Sequence, residues 1–444
     1  MNRTECFLKE IGELRGMDIP AGVIARAKQS LLDYLAVASA GAAFQREKLE
    51  RYMAFAQPEE GAFTAIGTGK KLALKEAVFL NGLNGHALDF DDGTNSGIIH
   101  LGSPIFSLLL PLAERYGVSL DALLRAAVIG YEVSYTVAVS IQPGHKALGY
   151  HATGTCGVLG ASVAACCMLD FTEEELRHAF ETACASATGM LSVLDDGSEL
   201  KPYNVAKTAL LALTSIQLAK AGFRGNPDAL GSYRGYLKMM TGKEDTELKP
   251  FLLKGSWAIM KTYTKPYASC RYTHPAVEAA IHLRGKVRPG DVERIDIKTY
   301  SLAVSGHDHT EIPGSYSAKM SIPYATAAGL IYGKAGLQEF SEEKVRDPEI
   351  LALTRKIRVE ADQDLSDAFP GIQAASVSIH TADGRTLTER VDFPKGEPEN
   401  PLTEEEFRER YDGLMAYAGQ TAGDAVYGLV YGENAGIRDI MKNL

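Results

Sequence analysis

The hydrophobic period of this chain changes once, at Lys265–Pro275, which reads KPYASCRYTHP. Upstream, Ala-, Leu- and Gly-rich segments repeat their apolar residues at helical spacing; downstream, the first two-residue alternation begins. A change of period at a proline-bounded segment marks a domain junction. A chain of 444 residues exceeds one ordinary core, so two or three domains are expected. The junction concentrates Lys265, Arg271 and His274 in a chain of formal net charge -10. Junctions are favoured places for small-molecule sites, and this one suits an anionic ligand. The competing reading is a solvated hinge kept soluble by its cations.

Helix signals dominate the first 260 or so residues. Pro20 opens an amphipathic run, Ile19–Ala38; Leu72–Leu80 is a second, loosened by Asn81-Gly82 and Asn84-Gly85 before His86. Ser103-Pro104 starts the apolar segment Ile105–Ala113, Ser119 caps the next helix, and Thr172-x-x-Glu175 is a capping box. Val205–Ala221 continues the pattern. The uncharged stretch Thr153–Leu169 is built of Gly, Ala, Ser and Cys without aromatic anchors, so a helix inside a large core is expected rather than a membrane span. Beyond the junction, Val292–Tyr300, Lys356–Ala361 and Ala375–Thr381 alternate, Pro323–Ile331 reads as a helix, and Asp383-Gly384 predicts a hairpin into Thr386–Val391. The expected fold is mainly α: an all-helical domain over 1–266, completed by C-terminal helices at 403–444, plus a smaller α+β domain over 267–402.

An acidic balance argues against a nucleic-acid partner, which needs a basic face. The start, MNRTECFLKE, has no apolar core of a secretory signal, and six cysteines without a CxxC pair fit a reducing cytoplasm. Four segments can carry chemistry. In His86-Ala-Leu-Asp89-Phe-Asp91-Asp92, followed by His100 and Ser103, three crowded carboxylates demand a raised pKa or a cationic partner, as at proton-transfer sites; a solvated acidic turn is the alternative. Gly149–Thr155 offers backbone N–H groups beside His151, and Gly197-Ser198-Glu199-Leu200-Lys201-Pro202 offers a hydroxyl and an ammonium; a structural histidine and a surface turn are the alternatives. Gly306-His307-Asp308-His309 is the one metal-like cluster, and its crowding favours a polar loop.

These segments resemble the MmgE/PrpD family, which includes 2-methylcitrate dehydratase, cis-aconitate decarboxylase and iminodisuccinate epimerase. The resemblance rests on NGLNGHALDFDD (Asn81–Asp92), HLGSP (His100–Pro104), GYHATGTCG (Gly149–Gly157), Gly197–Pro202, Lys265–Pro275, SAKMSIPYATA (Ser317–Ala327) and Pro394–Leu402. It implies a large helical domain with an α+β lid, a site in the cleft between them, a homodimer, and catalysis without metal or organic cofactor. Catalytic residues carried over by position are Asp89, His100, His151, Lys201, Lys265 and Tyr324; Arg271, Ser198, Thr94, Ser103 and His274 are expected to contact a small carboxylate substrate. Two departures stand out: Gly93 where a Thr is common, with Thr94 following, and Asn204 where a His is common. The resemblance implies an acid/base enzyme that stabilises a carbanion beside a carboxylate. A hydro-lyase of the 2-methylcitrate dehydratase kind leads, with an amino-dicarboxylate epimerase or a decarboxylase as alternatives and a non-catalytic carboxylate binder last.

Overall fold

A computed structural model describes residues 1–432 and 436–444, and the chain divides into two units. Met1–Ser192, Lys201–Thr262 and Glu405–Leu444 form the first; Val193–Leu200 and Tyr263–Glu404 form the second. The architecture is mainly helical with a smaller α+β part, as the periodicities predict.

In the first unit, Leu120–Ile141 packs against Gly157–Met168, and Lys201–Lys220 packs against both Leu74–His86 and Glu173–Ser186. Leu120–Ile141 is long and apolar enough by length and composition to cross a membrane, yet 83% of its apolar window is buried inside the protein, which makes it a core helix. The uncharged stretch after His151 forms Ala152–Thr155 and Gly157–Met168, also buried. Capping follows the sequence: the Ser119 hydroxyl accepts from Ala122 N–H at 3.2 Å, and Thr172 and Glu175 cap reciprocally. Each such cap contributes about 1 kcal/mol.

Two local features differ from the sequence expectation. A two-stranded hairpin, Glu60–Ala65 with Lys70–Leu72, interrupts the expected all-helical run. Leu74–His86 continues through both Asn-Gly pairs instead of loosening there. The Asn81 side chain accepts from Ile66 N–H and donates to the Thr64 carbonyl, and Asn84 donates to the Ile66 carbonyl, so the asparagines fasten the helix to the hairpin. Gly82 admits a close neighbour: a Cβ there would lie 2.7 Å from Ala206 Cα of the helix Lys201–Lys220. The C-terminal segment carries the helices Glu404–Tyr417, Gly423–Tyr431 and Ile437–Met441 among the described residues.

The second unit holds a four-stranded sheet in the order Ile357–Ala361, Val292–Thr299, Ala375–Thr381, Thr386–Val391. The first pair is parallel and the other two antiparallel. A register shift between Val292 and Arg294 explains the uneven alternation of VERIDIKT. Asp383-Gly384 makes the predicted turn, with Gly384 at φ 85. One face of Ala375–Thr381 is buried residue by residue, and His274–Leu283 packs on this strand, on Thr386–Val391 and on the helix Ile322–Tyr332.

Candidate active site

The turn after Leu74–His86 carries the acidic cluster of the first unit. Asp89 adopts φ 51, a left-handed conformation that a non-glycine residue occupies only when its surroundings hold it. Arg410, from Glu404–Tyr417, is one such hold: its guanidinium donates to the Phe90 carbonyl at 2.8 Å, lies over the Phe90 ring at 4.2 Å, and pairs with buried Asp33. The cluster thus depends on a residue far along the chain.

Within the turn, each imidazole has a proton placement that its partners dictate. His86 Nδ1 lies 2.8 and 3.0 Å from the two oxygens of Asp91. A carboxylate accepts, so Nδ1 carries hydrogen. His86 Nε2 is buried with no hydrogen-bond partner among the described residues. His100 Nδ1 lies 2.8 Å from the Asp92 carbonyl and 3.4 Å from Asp91 Oδ1, which likewise puts hydrogen on Nδ1. Its Nε2 is 3.7 Å from Asp89 Oδ1. Asp92 is a supporting group: it accepts from the Tyr131 hydroxyl at 2.6 Å and from Gly102 N–H at 2.9 Å. Burial pushes its carboxyl up to about 6, against the pull of those two hydrogen bonds.

Lys201 and Asn204 come from the start of Lys201–Lys220, one turn apart and so on the same helix face. The Lys201 ammonium lies 2.7 Å from Asp89 Oδ1, the cationic partner that the crowded carboxylates demand. His151 stands just before Ala152–Thr155, and its backbone N–H donates to the Gly189 carbonyl at 3.1 Å. Gly154 allows that approach, since a Cβ there would lie 2.5 Å from the Thr188 carbonyl oxygen. The His151 imidazole sits with its ring centre 6.2 Å from that of His86 and its Nδ1 3.0 Å from Asn204 Nδ2. Burial, then the charges of Lys201, His86 and His100, hold its pKa well below the ordinary imidazole range; Asp89 opposes them. His151 is therefore uncharged at neutral pH.

At Gly306–His309, favoured as a polar loop, His307 Nδ1 faces the Ser305 carbonyl at 2.8 Å and His309 Nε2 faces Ser317. The side chains that do converge are His86, Asp89, Asp91 and His100, whose candidate ligand atoms lie within 4.8 Å of one another. Zinc ligands about 2.0–2.2 Å from their metal require a tighter set, and the Lys201 ammonium already sits against Asp89. An ion held there would have to draw the four groups together and displace that ammonium.

Of the residues expected from sequence, Asp89, His100, His151 and Lys201 come together in the first unit. Ser103 is fully buried, its hydroxyl 2.7 Å from Asp91 Oδ2 and 3.1 Å from the Gly85 carbonyl, so it orients a carboxylate rather than facing a ligand. Thr94 is buried, with its Oγ1 lacking a hydrogen-bond partner among the described residues. Lys265, Tyr324, Arg271, His274 and Ser198 belong to the second unit. Lys265 is 1% exposed. Arg271 pairs through Nε with Glu397, while its Nη1 has no hydrogen-bond partner among the described residues. The Tyr324 hydroxyl donates to the Glu339 carbonyl at 2.8 Å, and burial raises its pKa. His274 Nε2 lies 3.2 Å from the Ser269 carbonyl, and the Ser198 hydroxyl accepts from Leu200 N–H at 3.3 Å. Residue patterns did not single out Arg410, one arginine among several charges on its helix. His86 and Asp91 were within the acidic segment, and their separation by five residues across a helix end was the available signal.

The chain is similar to known proteins along most of its length. The chain is 28% identical over 426 residues to a cis-aconitate decarboxylase of Aspergillus terreus, covering 89% of this chain and 86% of that protein. It is 24% identical over 425 residues to the cis-aconitate decarboxylase of Mus musculus (92% and 86%) and 24% identical over 426 residues to that of Homo sapiens (92% and 86%). The model of the MmgE/PrpD N-terminal domain matches residues 9–249, which contain the whole aspartate, histidine and lysine cluster, and that of the MmgE/PrpD C-terminal domain matches 267–426. With both domain models matched in order along nearly all its length, this chain belongs to the MmgE/PrpD family.

Proposed function

We propose that this chain is a carboxy-lyase that removes carbon dioxide from a small unsaturated tricarboxylate of the cis-aconitate type. Similarity to decarboxylases over most of the chain supports the reaction class. The observation that carries the chemistry is the Lys201 ammonium, 2.7 Å from Asp89 Oδ1, in one buried cluster with His100 and His151. In such a substrate the leaving carboxylate sits on a carbon next to a C=C bond. When the bond to carbon dioxide breaks, its electron pair forms a new C=C bond. The old π pair moves to the far carbon and is delocalised into the carboxylate attached there. The step therefore needs a fixed positive charge at that carboxylate and one proton at the far carbon.

Lys201 supplies the charge, and in a water-poor pocket a preorganised cation is worth far more than in bulk solvent. Salt-bridged to Asp89, it is already oriented before substrate arrives. His100 has a carboxylate at each nitrogen, Asp91 at Nδ1 and Asp89 at Nε2, and serves as the proton carrier through Nε2. Ser103 and His86 hold Asp91 in place.

Dehydration of a citrate-like acid is the second reading. One specific observation favours it: Asp89, Asp91, His86 and His100 provide more proton-carrying groups than a decarboxylation consumes. Carbon-13 NMR of reactions with labelled cis-aconitate and, separately, 2-methylcitrate distinguishes the two. Release of labelled carbon dioxide from cis-aconitate supports the proposal. Alkene formation from 2-methylcitrate, with no carbon dioxide from either acid, overturns it.

A further inference from the structure

Asn204 touches both the backbone and an imidazole through one atom. Its Nδ2 lies 3.3 Å from the Met190 carbonyl and 3.0 Å from His151 Nδ1, and the residue is 1% exposed. A backbone carbonyl only accepts, so the end of the carboxamide facing Met190 is the NH2 end. The same NH2 faces His151, whose Nδ1 must then be the accepting nitrogen. From this we infer that Asn204 is a positioning residue that holds His151 as the neutral tautomer with hydrogen on Nε2, making it an uncharged hydrogen-bond donor to the substrate's developing negative charge. The inference rests on the proposed carbanion chemistry for its catalytic meaning, but the tautomer itself does not depend on which acid is transformed.

The surroundings of His151 work in the same direction. Lys201, His86 and His100 disfavour a further positive charge on it, and Asp89 opposes them. An imidazolium would also place an N–H at Nδ1 against the N–H of Asn204. A neutral N–H donor stabilises an enolate-like oxygen without giving up its proton. This separates His151 from His100 and His86, whose Nδ1 atoms face oxygen acceptors and whose Nε2 atoms are free of that hydrogen in the neutral form. Imidazoles of opposite tautomer therefore stand in one cluster, and Asn204 accounts for the difference.

The test is nitrogen-15 NMR of histidine-labelled full-length protein without substrate, with the His151 signals identified by their loss in His151→Gln. At neutral pH His151 should show an unprotonated Nδ1 and a protonated Nε2, and its titration should lie well below the ordinary imidazole value of about 6.5. Asn204→Asp, close in size, replaces the donor with an acceptor; it should shift hydrogen to Nδ1, raise the His151 pKa by more than about one unit and lower kcat at least about tenfold with a smaller change in KM. Asn204→Gln, which retains an NH2, should keep the wild-type tautomer. Hydrogen on Nδ1 in the wild type, or an unchanged tautomer in Asn204→Asp, would overturn the inference. Absence of carbon dioxide release would count against the reaction proposed above and leave this result standing.

Discussion

Buried charge is used differently in the two units. Around Asp89 in the first, a lysine, three imidazoles and neighbouring carboxylates share one cluster in which His86 Nε2 has no hydrogen-bond partner among the described residues. Along Lys265–Pro275 and its surroundings in the second, the groups are tied into their own fold: Arg271 to Glu397, the Tyr267 hydroxyl to Glu278 at 3.3 Å, and His274 to the Ser269 carbonyl. Similar residue types thus form a buried cluster of titratable groups in one unit and a braced segment in the other. What distinguishes them is the partner. His86 and His100 lie against carboxylates of their own turn, whereas His274 Nε2 faces a backbone carbonyl.

That contrast can be broken at its strongest point first. Arg271→Ala leaves Glu397 buried without its guanidinium, a change that costs about 3–5 kcal/mol. Denaturant unfolding should show the loss; unchanged stability with a large rise in KM would instead make Arg271 a ligand-binding group. Lys201→Met should leave the helix Lys201–Lys220 formed but reduce kcat about 10²–10³-fold, the scale of losing one preorganised electrostatic contact. Steady-state kinetics with retained circular dichroism checks it, and wild-type turnover would remove Lys201 from the chemistry. Lys265→Met, which keeps the bulk of a fully buried side chain, tests whether the second unit contributes a cation to turnover. A fall of about tenfold to 10²-fold is expected, and equal activity would confine the chemistry to the first unit.

The smallest effect concerns pH. Asp92 has a folded pKa raised to about 6 from the ordinary 3.8. The folded state therefore binds this proton before the unfolded state does, so Asp92 contributes increasing stability as pH falls from about 6 to about 4. His151 has the opposite sign: its depressed pKa gives stability that is complete above about 6.5 and lost as pH falls below it. Asp92→Asn should remove the first contribution alone, so that unfolding free energy falls more steeply on acidification than in the wild type. An identical pH profile in the two proteins would mean that Asp92 is not the buried acid described here.

Much of this organisation is legible in residue patterns because it is local. Capping at Ser119 and Thr172, the Asp383-Gly384 turn and the change of period near Lys265 are decided by neighbours within a few residues. The crowding of Asp89, Asp91 and Asp92 likewise announces a cationic partner, and Lys201 is that partner. Long-range fastening is what patterns do not show. Asn81-Gly82 reads as a helix breaker by propensity, but the hairpin at Glu60–Leu72 takes up the asparagine's hydrogen bonds and Ala206 needs the glycine's missing Cβ. Arg410 supports Phe90 across a separation of 320 residues, and nothing near either residue in sequence signals it. Tyr324 could be placed on its helix from sequence, but the acceptor of its hydroxyl could not.

Substrate chemistry at the Asp89, His100, His151 and Lys201 cluster is the central proposal. A crystal structure with propane-1,2,3-tricarboxylate, whose saturated backbone cannot delocalise the electron pair left by decarboxylation, tests this most directly. The predicted result is one carboxylate on the Lys201 ammonium and within hydrogen-bond distance of His151 Nε2. A bound tricarboxylate that touches neither side chain would contradict it.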